Sequence, residues 1–351
     1  MKAVHRQRNA RKEGSERIGD WSRIPPVLLY GGDKMDTLYK YTRNFGIDFF
    51  KKPKIKLSNP SYLNDPFESE ACDNLINVIS ENKMPLGYSK ADIREMTNEL
   101  MKSYGIFSLS ETPRNPLMWA HYANEHRGIC IGYNRNLFYK IEKPKDSIYL
   151  MAEYEPRKIN YDNYRYDKEK KISSADDFVN AIKSQLLTKS DEWIYEKEHR
   201  CIIPFVCSTS FIVDNDSIDT VSHFDKKMTI GEYLPQCIKE GFVKKIGLDE
   251  YEVSNRLNKS ERDIYTSALS TFGCVSFLYD IDPQSIYSIH LGFRTSDKYV
   301  NEIYSMINDE DSKLSHVKLY KFNLSEKRFE LLPEIVDEQY ILKMNEKLHP
   351  R

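Results

Sequence analysis

The chain lacks any Cys-x-x-Cys pair, any apolar run approaching the ~18 residues of a membrane helix, and any sizeable net charge. Each absence removes a class of protein. Its six cysteines, at 72, 130, 201, 207, 237 and 274, have no matched histidine spacing, which argues against a zinc site or disulfide framework. Buried thiols in a reducing compartment are expected instead. With 52 basic against 53 acidic residues the net charge is −1, so no whole-chain field favours nucleic acid or an anionic membrane. Lys2 to Ile18 is polar and basic with no apolar centre, unlike a secretory signal, and a cytoplasmic location is expected. Without a Gly-x-Gly-x-x-Gly or a P-loop, a Rossmann dinucleotide site or NTPase is disfavoured.

What remains is a soluble, globular composition: 351 residues, 40% apolar and 30% charged, long enough to bury a sizeable core. Residues 1–35 read as a basic, solvated tail carrying Lys2, Arg6, Arg8, Arg11, Lys12 and Arg17. The main domain is expected over 36–332, with 207–273 as an insertion or small helical subdomain and 333–351 as a C-terminal helix or tail. Strands are predicted at Thr37–Thr42, Lys54–Ser58, Ile106–Ser110, Gly128–Tyr133, Ile148–Tyr154 and Cys201–Val206, the last near a sheet edge because of Pro204. Later strands are expected at Cys274–Tyr279, Ser285–Gly292, and a hairpin of Val317–Phe322 with Arg328–Leu332. Helical periodicity covers 70–81, 90–102 with Ser89 as N-cap, 174–189 and 296–308, and Asn115-Pro116 opens a short helix to Asn124. This interleaving indicates an α+β domain.

Three segments suit a chemical site better than a core. In Leu38-Tyr39-Lys40-Tyr41-Thr42, Lys40 can meet a phosphate or ribose while Tyr39 or Tyr41 stacks on a ring; an edge strand guarded by its lysine is the plainer alternative. Ser108 and Ser110 share a strand face and offer paired hydroxyls to a sugar or amide, or simply form a solvated face. In Trp193-Ile-Tyr-Glu196-Lys-Glu198-His-Arg200, read as a strand, Glu196, Glu198 and Arg200 share a face that is costly to bury unless it lines a polar cleft. A fixed carboxylate there could stabilise the oxocarbenium-like state of glycosidic cleavage. Around them, Asn64 and Asp65 read as a loop staple, Glu68 is freer to face a ligand, and His121 and Tyr122 sit near Met118 on one helix. His121 is either a base or a satisfied core histidine, and Trp119 packs.

Taken in order, Leu38-Tyr-Lys-Tyr, Asn64-Asp-Pro-Phe-Glu68, Met118-Trp-Ala-His-Tyr-Ala123 with Gly128-Ile-Cys-Ile-Gly132, Glu196-Lys-Glu-His-Arg200 and Ile286–Gly292 resemble the bacterial family named domain of unknown function 2971. Its layout is similar to that of ADP-ribosyltransferases. The resemblance implies split, twisted, mostly antiparallel sheets flanked by helices, NAD as substrate, and a protein or nucleic-acid acceptor. It also suggests a toxin or phage-defence setting with a regulatory partner. Carried over, Lys40 stands where that layout has an arginine or histidine, Ser108 or Ser110 positions the nicotinamide ribose, Glu198 holds its 2′-hydroxyl and Glu196 lies nearer the acceptor. Glu198, Glu196, Ser108, Ser110 and His121 are thus the catalytic candidates, and Tyr39, Lys40, Tyr41, Tyr122 and Arg200 the binding ones, with no metal expected. A nuclease holding Mg²⁺ through Asp65, Glu68, Glu196 and Glu198 is the first rival. A non-catalytic sensor or binding module using the aromatic-rich surface is the second.

Overall fold

The computed structural model describes residues 37–82, 87–143, 149–214, 220–223, 226–254 and 257–348. The expected tail at 1–35 lies outside them, as do residues 349–351. The chain enters in β1 (Thr37–Thr42) and passes through α1 (Ile47–Lys51) to β2 (Lys54–Leu57). α2 (Asp73–Glu81) and α3 (Lys90–Lys102) lead to β3 (Tyr104–Ser110). Next come α4 (Pro116–Tyr122), β4 (Ile129–Asn134), β5 (Glu153–Lys158) and β6 (Asn160–Tyr161). α5 (Ala175–Leu186) and β7 (Thr188–Lys189) precede β8 (Glu198–Pro204) and β9 (Ser210–Val213). β10 (Thr220–His223) pairs with β11 (Lys226–Thr229), and α6 (Ile230–Lys239), β12 (Val243–Lys245), β13 (Glu250–Val253) and α7 (Lys259–Ser270) follow. The chain closes with β14 (Val275–Asp280), β15 (Ile286–Leu291), α8 (Asp297–Ile307), β16 (Lys318–Leu324), β17 (Leu331–Ile335) and α9 (Glu338–Leu348).

The α+β class expected from sequence holds. Eight strands form a sheet in the order β17-β16-β15-β4-β1-β3-β8-β5, and five form a second in the order β12-β13-β9-β14-β2. Neighbours in both are antiparallel except β15 and β16, which run parallel around the α8 crossover. Local signals explain many boundaries. Ser89 and Asp92 exchange hydrogen bonds in a capping box that starts α3. Asn115 caps α4 by accepting from Leu117 N–H, with Pro116 at the first position.

Strand alternation divides the large sheet into two faces. One, with Leu38, Phe107, Leu109, Ile129, Ile131, Cys201 and Ile203, packs into the main core, where it meets Phe211, Tyr251 and Phe277 of the second sheet. The opposite face carries two smaller apolar clusters. Tyr104, Ile106 and Ile202 pack with α2, α3 and α5, while Tyr41, Cys130 and Phe322 pack around Trp119 of α4. Between these two clusters the same face turns polar.

Three expectations need correction. Residues 207–273 are not a helical excursion: β9, β12 and β13 supply three strands of the second sheet, and Phe211, Phe242 and Tyr251 belong to the main core. The strand read at Ile148–Tyr154 begins at Glu153, because Tyr149 and Met151 are buried in a turn against the α2–α3–α5 cluster. β8, by contrast, does lie near a sheet edge, one strand in from β5, and Pro204 is its last residue. Asp191–Glu196 is a 3₁₀ helix capped by Ser190, not the start of a strand.

Candidate functional site

The site begins where two central strands part. β1 lies along the whole of β4, yet it pairs with β3 only at Tyr39 opposite Ser110. From that point the strands diverge, and a cavity of about 220 Å³ opens between them. Its walls bring together Tyr39, Lys40 and Tyr41 of β1, Ser108 and Ser110 of β3, and Glu198 and Arg200 of β8. Tyr122 from α4, Glu196 and the unforeseen Lys189 complete them, with Asn64 and Glu68 from the Asn-Asp-Pro-Phe-Glu loop.

Pairing of Ser108 with Arg200 and Ser110 with Glu198 puts all four on the polar face. Glu196 reaches the same place by another route than strand alternation. It ends the 3₁₀ helix, and Lys197 then adopts a left-handed conformation, φ 46° and ψ 52°, that swings Glu198 inward as well. Such backbone costs a non-glycine residue on the order of 1 kcal/mol, here offset by the contacts it sets up. Glu68 ends a second 3₁₀ turn, Pro66–Glu68, which Asp65 caps by accepting from Phe67 N–H at 2.9 Å. Asp65 is therefore the staple expected of it.

Five charges are buried together. Arg200 donates to Glu198 through Nε at 2.7 Å and Nη2 at 3.1 Å, approaches Glu68 at 2.5 Å, and donates Nη1 to the Leu186 carbonyl at 2.8 Å. Lys189 Nζ donates to Glu196 at 2.6 Å and Glu198 at 3.3 Å, and lies 4.5 Å from the centre of the Trp193 ring. Tyr122 Oη donates to Glu196 at 2.5 Å, and Ser110 Oγ to the Glu196 carbonyl at 2.7 Å. Burial opposes the charge of Glu198, but Arg200, Lys189 and the Ser108 hydroxyl outweigh it and hold its pKa at about 2. Burial wins at Glu68, raising its pKa against the pull of Arg200.

Lys40 differs from the other two cations. Among the described residues its side chain makes no hydrogen bond or ion pair, and its Nζ stands 5.3 Å from the centre of the Phe107 ring. Burial lowers its pKa to about 8, Arg200 and Lys189 add to the effect, and Glu198 and Glu196 oppose it. Three carboxylates thus face two permanent cations, and Lys40 balances the cluster only while protonated.

Not every candidate converges. His121 is exposed at the end of α4, outside the cavity wall, with its ring 6.3 Å from Tyr122 and 6.4 Å from Tyr195. Tyr41 lines the cavity but also has a structural duty. Its hydroxyl donates to the Thr112 carbonyl at 2.7 Å and accepts from Asn115 N–H at 3.2 Å, tying the β3–α4 loop to β1. Lys189 carried no sequence signal, since it closes an ordinary amphipathic helix pattern.

At about 220 Å³ the cavity is smaller than the ~300–1,000 Å³ of pockets for drug-sized ligands. That is too small for a whole dinucleotide. A second cavity of about 160 Å³, reaching Phe67, Asp162 and Arg165, shares Glu68 and Lys189 with the first. Among the described residues no helix is long and apolar enough to cross a membrane. No curated protein and no solved structure matches the chain. The stretch from Met118 on α4 to Cys201 on β8, holding Tyr122, Lys189, Glu196, Glu198 and Arg200, is matched by the family model described as Protein of unknown function (DUF2971), which covers residues 118–201.

Proposed function

We propose that the cavity holds the ribosyl end of NAD and cleaves its nicotinamide bond, passing ADP-ribose to a macromolecule or to water. The observation that carries this reading is the convergence of Tyr39-Lys40, Ser108, Ser110, Glu196 and Glu198 around one sugar-sized space at the β1–β3 parting. Paired hydroxyls beside an ionised carboxylate suit a ribose, and Tyr39 and Tyr122 offer aromatic faces to a planar ring. Leaving nicotinamide develops positive charge on the sugar, which a carboxylate held ionised by its surroundings stabilises without reorganising. The volume supports entry of the nicotinamide riboside portion alone; the adenylate lies outside it, where the neighbouring cavity around Phe67 and Arg165 offers an extension.

A specific observation supports the binding-module alternative: Arg200 and Lys189 already engage Glu198, so the cluster is stable without any ligand. The nuclease reading has less support, because Asp65 caps a helix turn and Lys189 and Arg200 occupy the space among the other three carboxylates. Incubating the full chain with NAD and measuring free nicotinamide separates these readings. Release that falls at least about tenfold in a folded Ser108→Ala variant supports the enzyme. No release between pH 6 and 9 overturns it.

A further inference from the structure

We propose that Lys40 is a nucleophilic amine, and that it condenses with the aldehyde of a ring-opened sugar seated in this cavity to form an imine. The inference rests on the sugar-site reading of the cavity, and it adds a covalent chemistry that this reading does not require.

Geometry comes first. Lysines beside buried carboxylates normally end in an ion pair, as Lys189 does with Glu196 and Glu198. Lys40 lines the same cavity, yet no carboxylate oxygen of the described residues lies within ion-pairing distance of it, and its Nζ stands 5.3 Å from the centre of the Phe107 ring. Pairing is blocked by competition: Arg200 and Lys189 already hold the three acids. The groups facing Lys40 are Glu196 from the 3₁₀ helix, Glu198 and Arg200 from β8, and Lys189 from β7. Burial outweighs the pull of the two carboxylates, which the two cations also oppose, and the amine loses its proton near pH 8. A desolvated lysine beside other cations is a recognised route to an activated amine.

The chemistry balances without an external reagent. The lone pair of the neutral amine attacks the aldehyde carbon, and the carbonyl electrons move onto oxygen, which takes a proton. The nitrogen gives up its two protons in turn, the first balancing the one taken by the oxygen and the second the one that lets the hydroxyl depart as water, and a C=N bond replaces C=O. Ser108, Ser110 and Asn64 line the cavity and suit the sugar's hydroxyls. The substrate class is an aldose whose anomeric carbon opens to an aldehyde, of which the ribose released by glycosidic cleavage is the nearest example.

The test incubates the full chain with ADP-ribose and sodium cyanoborohydride, then maps reduced adducts by peptide mass spectrometry. Lys40 is expected to label about tenfold faster than exposed lysines such as Lys56, with a rate that reaches half its maximum near pH 8. Lys40→Arg should lose that adduct while the slow surface labelling continues. Labelling of Lys40 in the wild-type chain no faster than Lys56 overturns the proposal, whatever any variant does. Nicotinamide release from NAD is scored separately. A Lys40 adduct without release leaves the imine standing and removes the transferase, and release without the adduct does the reverse.

Discussion

Arg200 clasps Glu198 from two positions along the same strand, with Nε at 2.7 Å from one carboxylate oxygen and Nη2 at 3.1 Å from the other. Residues two apart share a strand face, and the long guanidinium arm folds back over its neighbour. From sequence spacing, Glu198 reads as a catalytic carboxylate rather than as a support of the fold. The buried pair changes that expectation, because losing one partner strands a charge.

Glu198→Gln is therefore expected to cost about 3–5 kcal/mol of stability, since Arg200 keeps its charge without its main partner. Glu198→Gln with Arg200→Met should cost less than the sum of the two single changes, because the second removes the stranded charge. Urea unfolding followed by circular dichroism measures all three. A single-variant loss under about 1 kcal/mol would show that the pair is not buried as described.

Acid stability follows from the same pair. The Glu198 carboxyl titrates near pH 2 in the folded chain, below its ordinary value of 4.5. Its stabilisation is complete above the unfolded value and is lost as pH falls from about 4.5 toward 2, by at most ~3 kcal/mol. Glu68 runs the opposite way: its raised pKa means that stability falls as pH rises through the unfolded value. Comparing unfolding free energies at pH 3 and pH 6, the difference should shrink in Glu198→Gln and grow in Glu68→Gln. Equal differences in wild type and both variants would contradict this assignment.

How much of this was legible follows from which signals are local. β1 and α3 run as read, Thr37–Thr42 and Lys90–Lys102, because alternation and a capping box are written within a few residues. Ser108, Ser110, Glu198 and Arg200 share a face, as period-two spacing implies. Glu196 joins them through a left-handed Lys197, which nothing in Glu-Lys-Glu announces. Lys189 was invisible because its role comes from long-range placement of β7 beside β8, not from its neighbours in sequence. The second sheet is legible only at β2 and β14, which run close to their expected bounds; their pairing across more than two hundred residues leaves no local signal, and β9, β12 and β13 are too short to show alternation.

Lys40→Met should stabilise the protein near pH 6 by about 1–3 kcal/mol, since an apolar chain of similar length relieves the buried ammonium. The folded pKa near 8 lies below the ordinary 10.5, so the wild-type penalty is full below pH 8 and fades as pH rises from 8 to 10.5. The advantage of Lys40→Met should fade over the same window. Thermal melts at pH 6 and pH 10 measure it, and a destabilised variant at pH 6 would mean that Lys40 has a partner in solution.

Gly132 connects the fold to the cavity. A Cβ at this position would lie 2.4 Å from Ser288 Oγ, 3.0 Å from Thr37 Cγ2 and 3.1 Å from Tyr39 Cε1. Every one of these neighbours sits on a strand flanking β4, so relief must come from side-chain movement rather than from sliding a loop. Ser288 Oγ is held 3.0 Å from His290 Nε2, and Tyr39 packs edge-on against the same imidazole, which leaves the cavity as the open direction for the tyrosine ring. Gly132→Ala should therefore cost about 1–3 kcal/mol and crowd the cavity. Adding Ser288→Ala removes the closest clash, and it should restore part of the lost stability despite breaking the serine–histidine contact. Unfolding free energies of the two singles and the double measure the coupling. Additive losses would show that the alanine methyl is accommodated without touching Ser288, and that the glycine is not required for close approach of these strands.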